Sequence, residues 1–139
     1  MRVKPLVSEF MATNLLTLAP DTDISAAVDF LLEHKISGAP VVDEQGVLVG
    51  VISEKDCLRL LATGVNHERA TGSVAMYMTR DPQIIPPNMD IYFAAGLFLT
   101  KPYRRFPVVD DGQLVGQISR RDILRAIQQL MAPETPPTT

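Results

Sequence analysis

The chain repeats itself, and this repetition constrains its fold more than any other feature. The segment Ala39-Pro40-Val41-Val42-Asp43 returns, at an offset of 67, as Phe106-Pro107-Val108-Val109-Asp110. The same offset takes Phe10-Met11 onto Tyr77-Met78, and an offset of 66 takes positions 50–56 onto 116–122. Matches that stay in register through most of each copy are not chance. The sequence therefore predicts two copies of one small structural unit.

Each copy predicts the same order of elements. A short extended piece (16–18; 83–85) precedes a helix, and a β-hairpin (40–42 with 47–52; 107–109 with 114–118) and a second helix follow. We expect Asp21 or Thr22 to cap the first helix of the first copy, and Asn88 that of the second. Apolar residues at i, i+3, i+4, i+7 and i+8 predict one buried face on these helices: Ile24, Ala27, Val28, Leu31 and Leu32, and Ile91, Ala94, Ala95, Phe98 and Leu99.

These elements predict an α/β (α+β) fold of two β-α-β-β-α repeats, at residues 7–62 and 74–131. A linker at 63–73 joins them, and a disordered, proline- and threonine-rich tail follows at 132–139. One repeat alone would leave its sheet face in water. We therefore expect the two sheets to pack against each other about a pseudo-twofold axis, with two related clefts where the repeats meet.

Composition and charge exclude several function classes. The net charge of −3 makes general nucleic-acid binding unfavourable. The single cysteine, Cys57, excludes an intramolecular disulfide or a cysteine-based zinc site and fits a cytoplasmic protein. Cys57 is either a plain buried residue or a thiol whose pKa is lowered at a helix start. No signal peptide or membrane span is expected.

No catalytic residues stand out. His34 and His67 lie far apart in the chain with no ligand partners nearby, and no nucleophile-base pair or phosphate-binding glycine loop is present. We therefore predict that the chain is not an enzyme and that it requires no metal or cofactor.

The repeated motifs resemble those of the CBS (cystathionine-β-synthase) domain family, in a tandem pair covering nearly the whole chain. The motifs are Phe10-Met11 and Tyr77-Met78, the Pro-Val-Val-Asp segments, and the two Gly-hydrophobic-Ser-x-x-Asp segments. The resemblance implies a non-catalytic regulatory module that binds AMP, ADP or ATP between the repeats and acts on a partner protein. It also implies a homodimer. It does not identify the regulated protein.

The resemblance also implies the binding residues. Asp56 and Asp122 would hold the ribose hydroxyls, with Ser53 and Ser119 near the ribose or phosphate. Ala39-Pro40 and Phe106-Pro107 would form part of the wall beside adenine. Independently, a carboxylate suits a ribose diol, and a helix N-terminus favours phosphate.

Basic residues gather in the second copy, where Arg104, Arg105 and Arg120 are candidates for binding phosphate. The first copy has Ser37 and Gly38 in place of the first two, so we expect the second cleft to bind phosphorylated ligands more tightly. A simpler interpretation makes Arg121 and Arg125 solvated helix-end charges.

Two alternatives remain open. Each Ser-x-x-Asp segment could be only a helix capping box, although capping and binding can coexist. The chain could also be a ligand-free dimerisation and interaction scaffold whose clefts stay empty.

Overall fold

The computed structural model describes residues 4–62 and 71–133, and its elements follow the predicted order. Most of the predicted linker (63–73) and of the predicted tail (132–139) lies outside the described residues. A short 3-10 helix at Val7–Glu9 comes first. The first repeat then contains α1 (Ile24–His34), β1 (Gly38–Val42), β2 (Leu48–Ser53) and α2 (Glu54–Ala62). The second repeat follows with α3 (Val74–Tyr77), α4 (Ile91–Thr100), β3 (Arg105–Asp110), β4 (Gln113–Ser119) and α5 (Arg120–Met131).

Each repeat contains one antiparallel hairpin, β1 with β2 and β3 with β4. The predicted extended pieces before the helices add little to these sheets. Leu18 and Ile85 each form one parallel bridge to the first strand of their hairpin. Pro20 and Pro86 follow closely, and proline has no N–H with which to extend the pairing. The third strand expected in each repeat is therefore reduced to a single bridge.

The helix caps differ from those that the sequence predicted. Asp23 caps α1 by accepting from the backbone N–H of the second helical residue at 3.3 Å. Asp90 caps α4 by accepting from that of the third at 2.8 Å. The predictions of Asp21, Thr22 and Asn88 were wrong because these residues lie in the preceding turns. In that turn, the carbonyl of Thr22 accepts a hydrogen bond from the backbone N–H of Val74 (2.8 Å).

The buried face of the first helix in each repeat is narrower than predicted. Ile24, Ala27 and Leu31 are buried in α1, as the helical spacing indicates. Leu32, at the edge of that face, is 73% exposed, and its counterpart Leu99 is 88% exposed. The prediction that these two leucines are buried was wrong for a single chain, and they leave apolar surface on the outside of both helices.

The two hydrophobic cores are each completed by a segment from before the other repeat. We call residues 5–12 and 72–79 the leading segments. Val7 is fully buried in the core of the second repeat, among residues of α4, α5 and the second hairpin. Val74 and Met78 are buried in the core of the first repeat. Each repeat therefore receives the leading segment that precedes its partner in the sequence.

Backbone hydrogen bonds fix both leading segments in equivalent places. Ala12 exchanges two bonds with Gln117, at 2.8 and 3.0 Å. Thr79 exchanges two with Val51, at 2.8 and 3.0 Å. Ala12 corresponds to Thr79 by the first offset of the sequence repeat, and Val51 corresponds to Gln117 by the second. The contacts thus come in equivalent pairs, as expected for two repeats related by a pseudo-twofold axis.

Glycine is required where each leading segment crosses a hairpin. A Cβ on Gly50 would stand 2.8 Å from the carbonyl oxygen of Thr79, and one on Gly116 would stand 3.0 Å from that of Ala12. Both separations are shorter than carbon and oxygen normally adopt. The two glycines of the repeated Gly-hydrophobic-Ser motif therefore allow the leading segments to lie directly against the strands.

Candidate functional site

A cleft of about 440 Å³ opens beside the N-terminus of α5, where the first leading segment meets β4; we call it the second cleft. Five residues predicted for the site meet here, and three lining residues were not predicted. The predicted five are Arg104, Arg105, Ser119, Arg120 and Asp122. The other three are Ala12, Gln117 and Arg121. The sequence repeat alone could not identify Ala12, because it assigns that residue to the first repeat.

Ser119 and Asp122 form a capping box at the start of α5. The Asp122 Oδ2 atom accepts from the backbone N–H of Ser119 at 2.8 Å and from its hydroxyl at 3.0 Å. The Ser119 Oγ atom in turn accepts from the Asp122 N–H at 3.3 Å. The capping interpretation is therefore confirmed. The same bonds fix the position of the carboxylate in the lining of the cleft. Asp122 is also almost fully buried, with only 3% of its surface exposed.

The Asp122 carboxylate retains capacity for a ligand. A carboxylate offers about four acceptor positions. Ser119 occupies two at Oδ2, and Arg125 donates to Oδ1, so one position remains. Asp122 can accept one ribose hydroxyl while these bonds persist, and both hydroxyls of a diol only if Arg125 moves away. Arg125 is thus the ion-pair partner of a buried carboxylate rather than simply a solvated charge.

We use the name first cleft for the positions around the start of α2 that correspond, by the sequence repeat, to the lining of the second cleft. Asp56 is 3% exposed, and its Oδ2 accepts from the N–H (3.0 Å) and the hydroxyl (2.9 Å) of Ser53. Arg59 lies 3.6 Å from Oδ1, as the counterpart of Arg125. The hydroxyl of Thr79 donates to Asp56 Oδ1 at 3.2 Å, whereas Ala12, the equivalent residue in the second cleft, has no hydroxyl. Both aspartates are therefore held in the same way, but Asp56 has one partner more.

Four arginines give the second cleft its charge. Arg104 directly precedes β3 and Arg105 is its first residue, whereas Arg120 and Arg121 come from the first turn of α5. They converge on a helix N-terminus, where the backbone itself favours an anion. The Nη2 atom of Arg105 also donates to the hydroxyl of Ser37 in the first repeat at 3.3 Å. This wall can bind a phosphate through several charge-assisted hydrogen bonds.

The four residues predicted beside adenine are buried in the hairpins and do not line the second cleft. Ala39 and Pro40 lie in β1, and Phe106 and Pro107 in β3. Phe106 is fully buried, with its ring 4.7 Å from that of Phe98 between centroids. Their role beside a ligand stays a prediction.

The histidines and acidic residues that the structure describes show no metal-binding arrangement. His34 packs against Phe30, with ring centroids 4.4 Å apart, and His67 lies outside the described residues. Within 4–62 and 71–133, no group of three or more His, Cys, Asp or Glu could hold a metal ion.

Cys57 does not have the lowered pKa that a thiol near the start of a helix can have. Burial raises its pKa, and the nearby carboxylates of Asp56 and Glu54 raise it further. All three effects disfavour the thiolate. The structure therefore favours the other interpretation, a partly buried residue packed against the first core.

We expect Cys57 to react with an aromatic disulfide reagent only at higher pH in the folded chain than in the unfolded one. The thiolate is the reacting form, and its formation is delayed where the pKa is raised. Reaction rates measured across neutral to alkaline pH, with and without urea, check this. The folded state should also lose stability as pH rises above the pKa of the unfolded thiol, and Cys57→Ser should remove that loss. Faster reaction in the folded state at neutral pH would contradict the expectation.

The family follows from the comparison with known proteins. The model of the CBS domain matches the chain twice, at residues 7–63 and 73–129. The chain belongs to the CBS domain family. The structure of this CBS-pair chain agrees with that assignment, because its two repeats superpose on solved CBS pairs.

Two of these pairs were solved with adenosyl compounds bound. The crystal structure of CBSX2 in complex with AMP has a TM-score of 0.80 and 34% identity, and covers 91% of this chain and 98% of its own. The CBS domain pair of protein MJ0100, in complex with 5′-methylthioadenosine and S-adenosyl-L-methionine, has a TM-score of 0.74 and 27% identity. It covers 92% of this chain and 99% of its own. Both of these solved CBS pairs therefore hold adenosyl compounds.

The curated relatives are CBS-domain proteins of several lengths. The protein YhcV of Bacillus subtilis is 32% identical over 125 residues, which are 89% of this chain and 85% of its own. The protein MJ1225 of Methanocaldococcus jannaschii is 31% identical over 121 residues, and the match covers 87% of this chain. Chloroplastic CBSX2 of Arabidopsis thaliana is 30% identical over an alignment of 152 positions, gaps included, that covers 89% of this chain. The chain spans only 42% and 64% of the lengths of those two. Among the described residues, no helix combines the length and apolarity needed to cross a membrane.

Proposed function

We propose that this CBS pair is a non-catalytic regulatory module that binds an adenine nucleotide, AMP, ADP or ATP, between its repeats and controls a partner protein. One observation carries the proposal: the second cleft joins a buried, rigid Ser119-Asp122 box to four arginines at a helix N-terminus. Ribose is a diol and phosphate is an anion, so the cleft offers a complementary group for each. A solved CBS pair of 34% identity holds AMP.

The proposal assigns one role to each set of residues. Asp122 accepts from a ribose hydroxyl, and Ser119 lies beside it. Arg104, Arg105 and Arg120 bind phosphate, whose oxygens match the planar fork of a guanidinium group. In the first cleft, Asp56 and Ser53 take the corresponding places. The buried pairs Ala39-Pro40 and Phe106-Pro107 shape the strands behind the adenine.

We expect AMP to raise the melting temperature of the chain. A ligand at a hundred times its dissociation constant stabilises the folded state by about 2.7 kcal/mol. For a chain of 139 residues, whose unfolding entropy near the midpoint is about 0.3 kcal/mol/K, that free energy corresponds to a rise of roughly 9 °C. Differential scanning fluorimetry with AMP, ADP, ATP, NADH, S-adenosylmethionine and cyclic dinucleotides measures the rise and ranks the ligands. A flat response to every compound at millimolar concentration would favour the interaction scaffold instead.

That second candidate function has an observation of its own. The outer helices carry exposed apolar side chains, an unfavourable arrangement unless a protein surface covers them. Leu58 and Leu61 on α2 are 66% and 82% exposed, and Phe93 on α4 is 61% exposed. Phe30 on α1 and Leu97 on α4, in contrast, are half-buried and pack against the two cores. The proposed module keeps this surface for association with a second copy, and it works in the cytoplasm, where a free thiol such as Cys57 persists.

We expect the chain to be a homodimer at tens of micromolar. Covering the exposed side chains of α2 and α4 removes apolar area from water, which drives association. Sedimentation velocity distinguishes the dimer from the 15.3 kDa monomer. Leu61→Glu should shift the population toward monomer, whereas a charge at an exposed polar position such as Gln129 should not. A chain that stays monomeric at every concentration would contradict the predicted homodimer and the proposed role of Leu58 and Leu61 in it.

A further inference from the structure

The two clefts share one backbone frame. The N–H of the first residue of α2, Glu54, donates to the carbonyl of Ser37 at 2.9 Å. The N–H of the first residue of α5, Arg120, donates to the carbonyl of Arg104 at 3.2 Å. The leading segments cross both hairpins at equivalent residues, and both capping boxes have the same bonds. Any difference in ligand must therefore come from the side chains.

The side chains reverse the charge of this frame between the two clefts. Glu54 stands where the second cleft has Arg120, and Ser37 and Gly38 stand where it has Arg104 and Arg105. Of the four arginines that line the second cleft, only Arg121 has a basic counterpart, Lys55. The second cleft thus has four arginines and one aspartate, Asp122. The matching positions of the first cleft have one lysine, Lys55, and two carboxylates, those of Glu54 and Asp56.

Arg105 does not compensate for this loss of positive charge. It is part of the wall of the second cleft and reaches the first repeat through one hydrogen bond to the Ser37 hydroxyl, 3.3 Å long. A phosphate in the second cleft competes for the same guanidinium group. The carboxylate of Glu54 lies at the helix N-terminus that would otherwise attract a phosphate, and its negative charge opposes that attraction.

Thr79 adds a second difference. Its hydroxyl donates to Asp56 Oδ1 at 3.2 Å and lies 3.4 Å from Oδ2, whereas the equivalent Ala12 offers Asp122 no such bond. The Asp56 carboxylate is therefore held by side-chain hydroxyls from both repeats. A ribose hydroxyl can still bond to this pair, because the Thr79 hydroxyl oxygen can itself accept a hydrogen bond.

From this charge reversal we infer that the first cleft selects adenosyl ligands whose 5′ end carries no negative charge, and that Glu54 is the residue that excludes phosphate. The inference rests on the proposed function, since it assigns a different ligand class to each of two adenosyl sites. The chain then binds one phosphorylated nucleotide per molecule, in the second cleft. The first cleft holds a nucleoside that is neutral or cationic at its 5′ end.

Calorimetric titration with AMP and with adenosine tests the inference, because the two probes differ only in the phosphate. Wild type should bind one AMP per chain tightly and bind AMP in the first cleft at least tenfold more weakly. Adenosine should bind the two clefts with more similar affinity. Glu54→Arg should create a second strong AMP site, and Glu54→Gln should strengthen that site by a smaller factor. Neither variant should change adenosine binding by more than about twofold.

Arg120→Glu is the matched reversal in the second cleft. It should weaken AMP binding there at least tenfold and leave adenosine binding unchanged. Two equal AMP sites in wild type would overturn the inference, as would a first cleft whose AMP affinity is the same in Glu54→Arg as in wild type. If neither AMP nor adenosine binds wild type or any variant, the proposed function itself fails. Circular dichroism confirms that each variant is folded before titration.

Discussion

Replacing Asp122 with alanine should weaken AMP binding about 10- to 150-fold, the largest effect that we expect from one substitution on affinity. The carboxylate has one acceptor position left for a ribose hydroxyl, and a hydrogen bond to a charged group is worth about 1.5 to 3 kcal/mol. The substitution also removes the capping box of α5, at a cost of about 1 kcal/mol in unfolding free energy. Calorimetry on the folded variant, with urea denaturation beside it, measures the two effects separately.

Asp56→Ala is the control for this experiment. It breaks the equivalent bonds at α2 and also the bond from Thr79, so it should cost at least as much stability, since Asp56 is as buried as Asp122. It should leave AMP binding in the second cleft unchanged. If both variants lose stability and neither loses affinity, the two Ser-x-x-Asp segments only cap helices, and the ligand site must be sought elsewhere.

Replacing Phe106 with alanine should lower the free energy of unfolding by about 3 to 5 kcal/mol, the largest stability effect that we expect. Its side chain is fully buried and contacts the rings of Phe98 and Tyr103, so truncation leaves a cavity at the centre of the second core. Urea denaturation followed by far-ultraviolet circular dichroism measures the loss.

Phe93→Ala removes the same number of atoms from a side chain that is 61% exposed. Its cost should stay within about 0.5 kcal/mol. Equal costs for the two variants would mean that Phe106 does not hold the second core together. Phe106→Leu, which keeps most of the buried volume, should preserve folding and allows the effect of this position on AMP affinity to be measured by itself.

The fold was predictable because its strongest signal is repetition. The two offsets, 67 and 66, are enough to place both hairpins, both second helices and both Ser-x-x-Asp segments from the sequence. The residues that cap the helices were less predictable from the sequence. Asp21 and Thr22 are good cap residues in isolation, but α1 starts after Asp23 because the turn before it receives the second leading segment. A tertiary contact decided a local boundary.

The candidate site was only partly predictable, for the same reason. Ser119, Asp122 and the arginines lie in or beside the repeated motifs and could be found in the sequence. Ala12 lines the second cleft although it precedes the first repeat's helices and hairpin, and no local pattern indicates that it crosses over. One consequence of that crossing is an additional hydroxyl bond to Asp56 from Thr79, which Ala12 cannot give to Asp122. This difference is visible only when Thr79 and Ala12 are compared in the structure.

The crossed leading segments also indicate how such a chain could arise. The core of a single repeat, taken alone, has an unfilled apolar site at the position that Val7 or Val74 occupies. The leading segment of that same repeat can fill the equivalent site in a second copy. Two separate copies can fill each other's sites as a domain-swapped dimer. Joining them in one polypeptide makes that exchange intramolecular and independent of concentration. Gene fusion of this kind frees the two halves to mutate separately, and the opposite charges at Glu54 and Arg120 are what such freedom permits.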